Sequence, residues 1–226
     1  MRAGNRSDID TMKKLLQITI ALIAGLGALS AVHAQDAAAG QKKIAMCIGC
    51  HGIAGYQASF PEVHKVPMIA GQGAKYIVAA LTEYKKGERK HPTMRGIALA
   101  LSEQDMADLA AYYEQLGKGQ VAPETQAAPS TQVAELLTKG ACATCHGANF
   151  SKPIDGAYPK LAGQHGDYLY VALKAYQTEG NPVVGRSNPI MVGQVKQFSH
   201  KELKLIAQYL ASLPGEVKTV PQAKFR

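Results

Sequence analysis

The sequence predicts an all-α protein made of two copies of one small helical unit. Three observations carry this. A set of short motifs recurs in the same order in both halves of the chain. Each half also holds a serine-capped segment with apolar residues at three- and four-residue spacing, the pattern of an amphipathic helix. No stretch alternates apolar and polar residues long enough to be a convincing strand. The expected division is a leader over residues 1–34, a first unit over 35–117, a linker over 118–132 and a second unit over 133–226.

The leader comes first in the chain. Met12, Lys13 and Lys14 form a short basic start, and Leu15 to Val32 is uncharged and apolar or small. Val32-His33-Ala34 then offers small residues at the two positions a signal peptidase reads. These are the three regions of a secretory signal, with Met12 as the start and cleavage after Ala34. A retained membrane anchor is the competing reading, since the apolar run approaches a bilayer span. The small-residue site directly behind it favours cleavage.

The repeat can be followed residue by residue. Cys47-Ile-Gly-Cys50-His51-Gly52 corresponds to Cys142-Ala-Thr-Cys145-His146-Gly147. Pro67-Met68-Ile69-Ala70-Gly71-Gln72 corresponds to Pro159-Lys160-Leu161-Ala162-Gly163-Gln164, and Tyr76 and Tyr84 correspond to Tyr168 and Tyr176. Arg89 and Arg186 open a shared R-x-x-P-x-M-x-G segment that contains Met94 and Met191. Between the copies, Gly117 to Gln132 is rich in Ala, Pro, Gln and Gly without an apolar period, which reads as an exposed linker.

Helix signals follow the same repeat. Ser102 and Ser199 each stand three residues before an acid, the capping-box pattern. Behind them Met106, Leu109, Tyr113 and Leu116, and Leu203, Ile206, Leu210 and Leu213, trace one apolar face each. Further helices are expected over 74–84 and 166–176. Short ones, over 41–46 and 133–139, lead into the cysteine motifs.

Those cysteine motifs carry the chemistry. C-x-x-C-H is the attachment motif for c-type haem: two thiols bond the porphyrin edge and the adjacent imidazole faces the iron. Cys47, Cys50 and His51 are therefore assigned to one covalently bound haem c. Cys142, Cys145 and His146 are assigned to a second. A thioredoxin-like pair would need a βαβ setting. A shared zinc site would need both halves to converge and would leave the histidines unused. Two plain disulfides are the remaining alternative in a secreted chain. For the second axial ligand, Met94 and Met191 hold equivalent places in the repeat, 43 and 45 residues after their histidines. Met68 faces a lysine in the other copy, while Met46 and Met106 fit helix faces as core filler. His64, His91, His165 and His200 lack a histidine counterpart and read as surface or helix-end residues. His/Met ligation favours a raised potential and a filled coordination sphere, suited to electron exchange.

The duplicated C-x-x-C-H, the P-x-[IL]-A-G-Q block and the P-x-M-x-G segment together resemble the dihaem cytochrome c4 family. The likeness covers about residues 37–213. It implies two tandem class I cytochrome c domains, each wrapped around one haem. It also implies periplasmic electron delivery from the quinol-oxidising complex to a terminal oxidase. From the same resemblance, Pro67 and Pro159 are expected to accept a hydrogen bond from the proximal histidine. Arg89 and Arg186 could pair with haem propionates. The rival function is an electron-accepting cytochrome subunit of a periplasmic dehydrogenase. A dihaem peroxidase or thiosulfate-oxidising enzyme is a weaker third, because duplicated methionines argue against an open iron.

Charge narrows the partners. The chain has 25 Lys and Arg against 17 Asp and Glu, a formal net charge of +8. Losing residues 1–34 removes Arg2, Arg6, Lys13, Lys14, Asp8 and Asp10 and leaves +6. Such a mild excess suits acidic redox partners or peripheral association with an anionic membrane. It is too dilute for nucleic acid.

Overall fold

A computed structural model describes residues 35–119 and 121–222. The expected leader and its cleavage site lie outside the described residues. In the first half, α1 (Ala37–Lys42) and α2 (Ala45–His51) are short. They precede α3 (Ala74–Lys86), α4 (Pro92–Leu99) and α5 (Glu103–Leu116). The second half repeats the plan with α6 (Thr131–Lys139), α7 (Cys142–His146), α8 (Gly166–Gln177), α9 (Pro189–Val195) and α10 (His200–Ser212).

Both predicted capping boxes form. The Ser102 and Ser199 side chains accept from the N–H groups of Asp105 and Glu202, whose carboxylates accept from the cap N–H in return. Each capped helix packs on the long helix before it, α5 on α3 and α10 on α8. The apolar faces read from the sequence close two cores. One holds Ile44, Ile48, Ile77, Met106 and Leu109, the other Leu169, Phe198, Leu203, Ile206 and Leu210.

Several local expectations are corrected. The helix expected over 41–46 is two helices, broken at Lys43 and Ile44 where α1 turns into α2. Gly40 marks the reason for α1: a Cβ there would lie 2.1 Å from the Asp108 carbonyl oxygen, so glycine lets α1 press against the backbone of α5. The methionine segments, for which the sequence reading named no element, are the helices α4 and α9. Each has proline in its first turn, and His91 and Asn188 accept from the Met94 and Met191 N–H groups as caps. Met46 is 45% exposed and fills no core, whereas Met106 is buried as expected. His64 is no surface residue: it is 5% exposed, its ring stacks near Tyr168, and its Nδ1 bonds the Glu62 carbonyl.

Short antiparallel pairings were not anticipated. β1 (Gln57–Ala58) pairs with β2 (His64–Lys65) inside the first half. β3 (Arg89–Lys90) pairs with β4 (Gly185–Arg186) across the halves, placing Arg89 opposite Arg186. The segment expected as an exposed linker runs along the second half. Ala122 is buried, the Gln126 amide donates to the Asn149 and Pro214 carbonyls, and Tyr209 donates to the Ala127 carbonyl. α6 already begins at Thr131, inside that expected range. After α10 the chain returns to the first half. Lys218 N–H donates to the Ala70 carbonyl, and Tyr112 Oη donates to Gln222.

Candidate functional site

One continuous cavity of about 640 Å³ runs through both halves and is lined by all four cysteines. On α2, Cys47 and Cys50 are three residues apart and so share a helix face, while buried Ile48 anchors the opposite side in the core. α7 repeats this with Cys142 and Cys145. None of the four is joined in a disulfide. Before haem attachment, burial pushes the Cys142 thiol up to about 11 and raises that of Cys47, the latter against the pull of the Tyr113 hydroxyl. The two pairs do not converge. Among the described residues no group of three or more His, Cys, Asp or Glu side chains could hold a metal ion, which removes the shared zinc site.

Each motif histidine ends its helix and lines the cavity. His51 Nδ1 lies 2.8 Å from the Pro67 carbonyl oxygen, and His146 Nδ1 lies 3.1 Å from that of Pro159. A carbonyl only accepts, so Nδ1 carries the proton in both rings and Nε2 keeps its lone pair. Burial lowers the pKa of both histidines, outweighing the opposite pull of the carbonyl bonds. They are therefore neutral at neutral pH, the state a metal-binding imidazole needs.

Met94 and Met191 line the same cavity from α4 and α9. Met68 does so too, but its backbone follows directly on the Pro67 carbonyl that holds His51. Of the other histidines, His91 caps α4, His165 precedes α8 at its cap position and His200 opens α10.

The paired arginines line the cavity where the two halves meet. Arg89 is 5% exposed, ion-paired to Glu83, and donates to the Tyr76 hydroxyl at 3.1 Å. Arg186 donates to the Tyr168 hydroxyl at 3.2 Å and lies over the Tyr176 ring, yet makes no ion pair among the described residues. A guanidinium held only by neutral partners at a cavity wall suits an incoming carboxylate. Thiol pairs, neutral imidazoles with free Nε2, thioethers and this arginine together fit haem. Two residue sets escaped sequence reasoning: the tyrosine boxes around the arginines and the glutamines Gln72 and Gln164. Their signal was present, since each recurs in both copies.

Folds of this kind, a helical cage around a C-x-x-C-H motif repeated in tandem, define the cytochrome c class. The cytochrome c family matches residues 37–117 and 130–214. A cytochrome c4 from Pseudomonas aeruginosa is 32% identical over 89% of this chain and 100% of its own length. The crystal structure of reduced recombinant cytochrome c4 from Pseudomonas stutzeri superposes with a TM-score of 0.60 at 32% identity, covering 80% of this chain and 100% of that one. A thiosulfate dehydrogenase electron acceptor from Stutzerimonas stutzeri is 30% identical over 87% of this chain and 96% of its own. The chain belongs to the cytochrome c4 family. It is a dihaem c-type electron carrier rather than an enzyme, holds two covalently bound haem c groups and exchanges electrons with redox partners.

Proposed function

We propose that this chain carries electrons in the periplasm from the quinol-oxidising complex to a terminal oxidase. In this reading Cys47 and Cys50 bond one haem and Cys142 and Cys145 the other. His51 with Met94 would hold the first iron, and His146 with Met191 the second. Haem supplies a one-electron iron couple, and the chain's residues set its terms. Pro67 and Pro159 hold each imidazole in one tautomer and orientation, which raises its basicity toward metal. Met94 and Met191 add a thioether ligand that raises the potential. Arg89 and Arg186 offer guanidiniums to the propionates, and the apolar walls exclude water. The observation that carries the reading is the repeated pairing of a carbonyl-anchored histidine with a helix-borne methionine on one cavity.

A second reading is favoured by the likeness to a protein named as a thiosulfate dehydrogenase electron acceptor. There the donor is a dehydrogenase instead of the quinol-oxidising complex. Stopped-flow reduction of the oxidised holoprotein separates the two. Rapid reduction by quinol with its oxidising complex, followed by reoxidation by a terminal oxidase, is the expected result. Reduction only by thiosulfate with its dehydrogenase establishes the second reading and removes the first.

A further inference from the structure

The two glutamines of the repeated A-G-Q block are exchanged between the halves. Gln164 Oε1 accepts from the Met68 N–H at 3.0 Å, and its Nε2 donates to the Met68 carbonyl at 2.8 Å. Gln72 Oε1 accepts from the Lys160 N–H at 2.8 Å, and its Nε2 donates to the Lys160 carbonyl at 3.0 Å. Each oxygen also accepts from the N–H of the residue following it, Gly73 or His165, which fixes the amide orientation because a backbone N–H can only donate. Both side chains are buried, at 3% and 4% exposure.

The peptide groups they grip are the ones that hold the motif histidines. In the Pro67–Met68 peptide the carbonyl accepts from His51 and the N–H donates to Gln164. In the Pro159–Lys160 peptide the carbonyl accepts from His146 and the N–H donates to Gln72. A peptide that donates through its N–H becomes a stronger acceptor at its carbonyl, and in a buried setting such chains polarise one another. A stronger acceptor at Nδ1–H gives the imidazole more imidazolate character. That favours ferric iron and lowers the potential.

We infer that Gln164, from the second half, holds down the potential of the first haem, and that Gln72, from the first half, holds down that of the second. Each glutamine is a positioning and polarising residue that acts through one peptide on the other domain's histidine. The tuning is crossed. This rests on the axial assignments of His51 and His146 made above.

The test uses the full holoprotein. Gln164→Met and Gln72→Met keep the side-chain volume close and remove the acceptor. Spectroelectrochemical titration gives two reduction steps, and Met94→Ala and Met191→Ala label which step belongs to which haem. Gln164→Met is expected to raise the first haem's potential and leave the second unchanged; Gln72→Met does the reverse. The expected size is roughly 2–10-fold in the reduction equilibrium, or about 20–60 mV at 59 mV per tenfold. Gln164→Glu keeps an oxygen at the Met68 N–H, so the first haem stays at or below its wild-type potential.

Uncrossed shifts, equal shifts of both haems, no shift, or a rise in Gln164→Glu would each overturn the inference. Haem load and the ferric sulfur-to-iron band are recorded on every sample. If the wild-type protein lacks two covalent haems or that band, the ligand assignments fail and the inference falls with them. If both are intact, a wrong pattern of potentials removes the crossed tuning alone.

Discussion

Met94 and Met68 both line the cavity, and their backbones do different work. Met94 sits in the first turn of α4, with its N–H capped by His91, in a place that α9 repeats for Met191. The Met68 backbone is fixed on both sides by Gln164, next to the carbonyl that anchors His51. Met94→Ala is therefore expected to lower the first haem's potential and abolish that half's share of the ferric sulfur-to-iron absorption band. Met68→Leu nearly conserves volume and should cost less than about 1.5 kcal/mol in stability with the band intact. Near-infrared spectra and denaturant titration of the two variants decide it. Loss of the band in Met68→Leu and its survival in Met94→Ala would reverse the assignment, while leaving Met191 untouched. The equivalence of Met94 and Met191 was legible in the sequence because the repeat aligns them. The helix around each was not, although an Asn or His followed by Pro is a recognisable start.

At the scale of elements, the first half is closed by α1 lying across α5. Adding a methyl at Gly40 brings it against the Asp108 backbone rather than a movable side chain. Gly40→Ala is expected to destabilise the first half by about 1–3 kcal/mol, the usual range for overpacking. A urea midpoint equal to wild type would mean that α1 can slide away freely. The same crossing is tied by charge. Lys43 contacts Asp105 at 2.6 Å and Asp108 at 2.9 Å, and Asp36 N–H donates to Asp108.

The Lys43 ammonium, with the Ser102 hydroxyl and N–H, holds Asp105 well below the usual carboxylate range. Burial pushes Asp108 the other way, but Lys43, Asp36 N–H and Gln104 together bring it lower. A depressed carboxylate contributes stability that is complete above its unfolded value of about 3.9 and is lost as pH falls toward the folded one. The first half should therefore weaken progressively below about pH 4 on that linkage. Lys43→Met should flatten that slope in thermal melts between roughly pH 5 and pH 2, spanning the same titration. An unchanged slope would place the acid sensitivity elsewhere.

Over the whole molecule, the halves share more than a cofactor type. The β3–β4 pairing, the exchanged glutamines and the returning C-terminal segment bind them to one another. We nevertheless expect each half to fold around its own haem, as small domains with thin cores depend on a bound staple. In the double variant Cys142→Ala, Cys145→Ala the first half should keep one covalent haem. The second should become protease-sensitive from the linker onward. Haem staining of the tryptic fragments reads both. A second half that stays helical and protected without haem would show that the docking surface alone can hold it.

The sequence by itself determined the duplicated plan, the covalent haem chemistry and the capped helices. These depend on neighbours in the chain: cysteine spacing, a serine before an acid, apolar residues every three or four positions. Tertiary structure alone decided what lies between the copies. Gln72 and Gln164 carry no local signature of their partners, because each bonds a peptide in the other half, far along the chain. The surroundings of Arg89 are set by folding: α3 brings Tyr76, Tyr84 and Glu83 against it, and β3 pairs with β4. His64 likewise becomes a buried residue only when α8 packs against β2. Patterns within one element can be read from residue order, whereas contacts between the halves depend on where the chain returns in space.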